Sequence, residues 1–355
     1  MDNVDLQPAQ MGSEIKDLEP GPVTGRVRWY ALFSLLLLAA TMAEFLTGST
    51  PILMALTHPE GFAILVGLYG GGALLIREVT LRWKKRWGAV LLLGGAWAVA
   101  DEGFGAKTLL DPTGSVIGNQ TYSHWLGINW VPVTELTLFH SVFSLATPLI
   151  LVELLFPETK GKRLLRNRSV GVTVFLVGLV FSIAVFLQSL GNPYVPSIGA
   201  AVLLATVGFV FIIAAMRVPR SFLQARTERP DRREFKFLLL GVGFLGSFFL
   251  FFLFGPHFLP WPATAALFIP LAFLIGRYLT RHAGHLDNDR VKIDFVLGMT
   301  LIFIPMDTLL ELTGNVGVLV FTAFIIGLMI WIRQKKTRPY ASSNALAETL
   351  RTTLG

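Results

Sequence analysis

The sequence contains no cysteine, which excludes disulfides and thiolate metal sites together. It is poor in charge: Asp, Glu, Lys and Arg make up 15% of its 355 residues, against about 25% in a soluble domain. Histidine is scarce, and no two histidines stand at metal-ligand spacing within an apolar run. There is no His-Glu-x-x-His helix, no Walker phosphate loop and no Gly-x-Ser-x-Gly elbow. The zinc-protease helix, the P-loop nucleotidases and the serine-hydrolase elbow are thereby excluded. The chain also departs from the intramembrane CAAX-type glutamate proteases. Asp101-Glu102 followed by His140 imitates the order of their motifs, but Ala106 replaces the arginine and Leu136 the phenylalanine. No apolar run after His140 holds a further histidine.

What is abundant is apolar. Hydrophobic residues reach 53%, with 28 Phe and 34 Gly, and the mean hydropathy is +0.61. Apolar runs of about 20 residues recur from Trp29 to Trp331, the pattern of an all-α, polytopic bundle of transmembrane helices. Ten spans are expected: Trp29–Gly48, Gly61–Leu81, Gly88–Lys107, Ile128–Phe156, Ser169–Leu190, Pro196–Met216, Phe237–Gly255, Pro262–Leu279, Ile293–Leu312 and Val316–Ile332. They form one membrane domain over 29–333. A polar N-terminal tail (1–28), without the basic start of a cleaved signal, precedes it, and a C-terminal tail (334–355) follows.

The net charge of +7 would point to nucleic acid in a soluble protein; its placement here points to membrane orientation. Lys and Arg cluster after every second span: Arg82 to Arg86, Lys160 to Arg168, Arg217 to Lys236, Arg277 to Lys292, and Arg333 to Arg338. The intervening connections contain none, with Lys107 at the border of one. By the positive-inside rule both termini are cytoplasmic in the cell membrane. The basic loops then meet anionic lipid headgroups, and no nucleic-acid partner is expected.

Against this apolar background the buried charges stand out. Asp101 and Glu102 are adjacent within the third span, where each charge costs roughly 2.5–3.5 kcal/mol on insertion scales. Depth along the helices puts Glu44, Glu135, His140, Asp307 and Glu311 in the same outer leaflet. Asp101, Glu102 and His140 are the candidates for ion coupling or acid–base chemistry. Glu44, Glu135, Asp307 and Glu311 are candidate ligand-binding residues. Trp97, one turn before Asp101, either packs in the core or faces a ligand. A second, inner layer of Arg77, Glu78, Arg82 and Glu153 reads as structural ion pairs, with Glu78 and Arg82 in the favourable i, i+4 order. Thr137, His140, Ser141 and Ser144 share one helical face. Gly70, Gly71 and Gly72 allow either close packing or a break in the second span, and the connection 111–127 either caps the outer site as a lid or merely joins two helices.

Three functions fit. One is a proton- or cation-coupled transporter of a small ion or molecule, in which spans 1–4 and 9 form the site and spans 5–8 and 10 an apolar brace. Another is a membrane-embedded enzyme, metal- or acid/base-dependent, such as an intramembrane hydrolase or protease. The third is a structural bundle whose acids only pair internally.

Overall fold

An apolar run in lipid must pair every backbone N–H and C=O internally, and a helix does so. The computed structural model describes residues 23, 25–113, 122–223, 235–282 and 288–353, and of residues 280, 282 and 337–353 the backbone alone. The helices are α1 (Gly25–Ala40), α2 (Ile52–Thr57), α3 (Pro59–Leu65), α4 (Gly71–Arg82), α5 (Trp87–Ala100), α6 (Trp130–Phe139), α7 (Thr147–Leu155), α8 (Asn167–Gly191), α9 (Ile198–Arg217), α10 (Phe235–Phe258), α11 (Trp261–His282), α12 (Asp289–Leu301), α13 (Phe303–Leu312) and α14 (Val318–Thr353). A two-stranded hairpin, β1 (His124–Trp125) and β2 (Ile128–Asn129), precedes α6. Most of the expected tail at 1–28 lies outside the described residues, as do 114–121 of the candidate lid; α1 already begins at Gly25. The stretch 334–353 continues α14 without interruption.

Nine helical stretches among the described residues are long and apolar enough to cross a membrane. Helix α5 is not among them. It runs into Asp101–Gly105 and carries the acid pair.

The connections gather at two ends. At one, Val23 bonds Arg163, Arg77 bonds Thr159, Lys85 bonds Val218, and Lys160 and Lys336 both reach Asp289. At the other, Lys107 bonds Asn192 and Tyr194, Tyr122 bonds Leu259, and Asn315 bonds Gly48. We call these the basic end and the acid end. Every basic cluster with described side chains sits at the former, because consecutive helices alternate direction.

Close helix approach relies on glycine. A Cβ on Gly298 would stand 2.0 Å from the Leu238 carbonyl oxygen, and one on Gly241 would stand 2.1 Å from that of Phe295. Helices α10 and α12 therefore touch backbone to backbone. The break between α12 and α13 has a local cause too: Pro305 has no N–H for the Leu301 carbonyl.

Candidate functional site

Among the described residues, four stretches are wound as π-helix rather than α-helix: Thr41–Phe45, Val66–Gly70, Asp101–Gly105 and His140–Ala146. Each π turn holds one extra residue, frees a carbonyl and shifts the side chains that follow onto a new face; such turns recur at functional sites. Local sequence permits three of them. Pro148 cannot donate to the Ser144 carbonyl, Gly103 and Gly105 loosen the second half of the Asp101 turn, and Gly70–Gly72 follow Tyr69. Gly70 also lets the helix lie against α1, since a Cβ there would come within 2.6 Å of the Leu36 Cα. The glycine run thus serves close packing in a helix that stays continuous.

All four π turns face one cavity of about 1090 Å³. It begins among exposed Ser49, Met54 and His58 at the acid end and descends to buried Tyr69, Phe139 and His140. Helices α4, α5 and α7 contribute no lining side chain, so the cavity stops at their level. Its polar lining includes Glu44, Tyr69, Asp101, Glu102, Glu135 and His140; among the described residues no Lys or Arg lines it. Part of its apolar wall comes from α8 and α10, two helices expected only to brace the bundle.

The floor is organised around one imidazole. His140 Nε2 lies 2.8 Å from Glu102 Oε1, and its Nδ1 lies 2.9 Å from Ser144 Oγ. The ring stacks on Tyr69 at 5.8 Å between centroids. The Tyr69 hydroxyl lies within reach of both Glu44 and Asp101, while Glu44 Oε2 accepts from Thr50 Oγ1 at 2.7 Å. Two carboxylates are left wanting. Asp101 Oδ2 has no partner, and neither oxygen of Glu135 has one, although Glu135 is only 1% exposed. A buried charged group left unpaired costs several kcal/mol, so these atoms call for an explanation.

Other candidates lie elsewhere. Asp307 is fully buried but turned toward α14, where Thr322 donates to its Oδ2; its Oδ1 is unpartnered, and it does not line the cavity. Glu311 accepts from the backbone N–H groups of Gly317 and Leu319 and so caps the start of α14. Trp97 packs over Gly72, where a Cβ would meet its ring at 2.6 Å, and stands edge-on to Phe181. It does not line the cavity either. The supposed stripe on the fourth span is divided by its π turn: His140 faces the cavity, whereas Ser141 lies against Gly94 and bonds the Thr137 carbonyl. Among the described residues no three His, Asp or Glu side chains converge as metal ligands.

The inner layer is a closed clasp. Glu78 accepts from Arg82, from Arg77 at 3.4 Å and from the Leu164 N–H at 2.7 Å. Arg77 also donates to the Thr159 carbonyl, and Arg82 to that of Leu165. The described part of the 111–127 connection is pinned as well. Asn129 donates to the carbonyls of Thr108 and Asp111, and Asp111 accepts from Asn192.

Sequence reasoning missed Tyr69, Thr50 and the phenylalanines of α10. Tyr69 had a signal: a phenol in the middle of an apolar run, far from the interfacial positions that Tyr and Trp prefer.

Residues 33–342 match an uncharacterized membrane protein family, and the chain belongs to it. Neither the curated proteins nor the solved structures contain a match.

Proposed function

We propose that this member of the uncharacterized membrane protein family is a proton-coupled transporter of the cell membrane, with ten spans and both termini cytoplasmic. The supporting observation is the Glu102–His140 contact of 2.8 Å at the floor of a cavity that reaches only one end of the bundle. One proton arriving at or leaving that pair changes the charge of the floor by one unit, in a space with no Lys or Arg among its described lining residues. A cargo that feels that charge is coupled to the proton. The four π turns around the cavity fit this reading, because such turns recur at functional sites and at helix kinks. In this reading the cavity opens to the outside and the basic end faces anionic headgroups, worth about 1 kcal/mol per charge near the surface.

A membrane-embedded acid–base enzyme is the second reading. One observation favours it: both His140 nitrogens are engaged and the ring is stacked, a preorganised arrangement suited to catalysis. Glu102 would then act as general base, positioned by His140.

The test uses membrane vesicles containing the overproduced protein, with a fluorescent amine reporting an imposed pH gradient. Ions and metabolites are added singly and their chemical fate is followed. Under the transporter reading, some compound dissipates the gradient in wild type, enters unchanged, and does neither in Glu102→Gln. Dissipation that survives Glu102→Gln overturns the role of the pair. Chemical conversion without any gradient change favours the enzyme.

A further inference from the structure

The geometry points to the class of molecule that fills the cavity: we infer an amphipathic organic ammonium, its nitrogen against Glu135 and its apolar body against the phenylalanines of α6 and α10. This rests on reading the cavity as the substrate site, and goes beyond it by naming the occupant.

Charge selects the sign. Glu44, Asp101, Glu102 and Glu135 line the space against two histidines, with no Lys or Arg among the described lining residues, so the acidic groups outnumber the basic ones and a cation is favoured over an anion. Engagement selects the anchor. Glu102 is held by His140 and Glu44 by Thr50, but both Glu135 oxygens are buried and unpartnered. A ligand bringing N–H donors and positive charge satisfies both oxygens and removes the cost of burying them.

Surroundings select an organic cation over a metal ion. Among the described residues no second and third ligand group converges on Glu135. One turn along α6 lies Phe139, and across from it are Phe248 and Phe249 at centroid distances of 5.5 and 6.3 Å. Phe252 extends the wall, 6.5 Å from each of the α10 pair. Aromatic faces attract alkylammonium groups and bury hydrocarbon, and they offer nothing to a hydrated metal ion. The volume of about 1090 Å³ admits a molecule with a chain or ring system behind its nitrogen.

The experiment measures occupancy without a gradient. Full-length protein in detergent is titrated with decylammonium, and with decanol and decanoate as neutral and anionic counterparts. Saturable binding of decylammonium alone is expected. Glu135→Gln, which keeps shape, weakens it by about tenfold or more, the scale of a charged hydrogen bond. Phe249→Leu weakens it by roughly two- to tenfold through the aromatic face alone. Thermal unfolding of each variant identifies any loss due to misfolding. Should Glu135→Gln fail to fold, the Phe249→Leu titration and the decanol comparison decide the matter. Equal binding by wild type and folded Glu135→Gln overturns the proposal, as does decanol binding as well as decylammonium. The two readings fail separately. Decylammonium binding without gradient dissipation removes the transporter and leaves the ammonium site. Dissipation by other compounds, with no decylammonium binding, removes the ammonium site alone.

Discussion

Two carboxylates of the same bundle, Glu78 and Glu135, are buried in opposite ways. At the basic end Glu78 is fully buried, and it is met by two guanidinium groups and a backbone N–H. At the acid end Glu135 is as deeply buried and meets nothing. Charge that holds helices together is satisfied by the protein itself. Charge left unsatisfied beside a cavity is available to something that enters.

The comparison can be broken most directly with a pair of isosteric changes. Glu78→Gln strands Arg77 and Arg82 in the clasp and should cost about 3–5 kcal/mol of stability, the usual penalty for removing one member of a buried pair. Glu135→Gln replaces a carboxyl whose oxygens have no partner and should leave stability unchanged or raised. Thermal unfolding in one detergent measures both, and equal destabilisation would erase the distinction between the ends.

Gly70→Val sharpens it from the packing side. The new side chain drives α1 off the Val66–Gly70 turn, with an expected loss of about 1–3 kcal/mol. Because Gly70 backs the cavity floor, decylammonium binding should fall with it; a stable variant with wild-type binding would show the floor to be more yielding than its contacts imply.

Tyr69→Phe removes only a hydroxyl between Glu44 and Asp101. Stability should shift by about 1 kcal/mol or less, while the pH at which cargo movement is half-maximal moves. An unmoved pH profile would detach Tyr69 from the proton site.

The smallest effect is expected in the acid-end loops. Burial pushes the Asp111 carboxyl up, but hydrogen bonds from Asn192 and from the Thr113 side chain and backbone, with Lys107 nearby, hold it below its usual range. A carboxyl whose folded value is lowered stabilises the protein above its unfolded value, and that contribution is lost as pH falls through the folded one. Asp111→Asn should therefore lower the unfolding temperature slightly at neutral pH, and the gap to wild type should close toward acid. A gap that widens toward acid would reverse the assignment.

Much of this was legible in the chain. The helical bundle and the alternation of basic connections follow from run length and from where Lys and Arg fall. Glu102 with His140 could be named because both are costly at that depth. Depth alone puts Asp307 and Glu311 beside them, and depth does not say which way a side chain turns. Asp307 faces α14, and Glu311 caps it. Helices α8 and α10 resemble a brace in sequence because a cavity wall of phenylalanine looks the same there as a face against lipid.

The sequence by itself determined that the chain is a helical membrane protein and which residues are too polar to be there without a reason. Only the tertiary structure decided which of them share a cavity. Four π turns each add a residue to a helix, and a single added residue rotates everything beyond it by roughly 100°. The 3.6-residue period used to assign faces is lost at those turns. The adjacent Asp101 and Glu102 find different partners: Glu102 meets His140, while Asp101 turns toward Tyr69 and keeps one oxygen unpartnered.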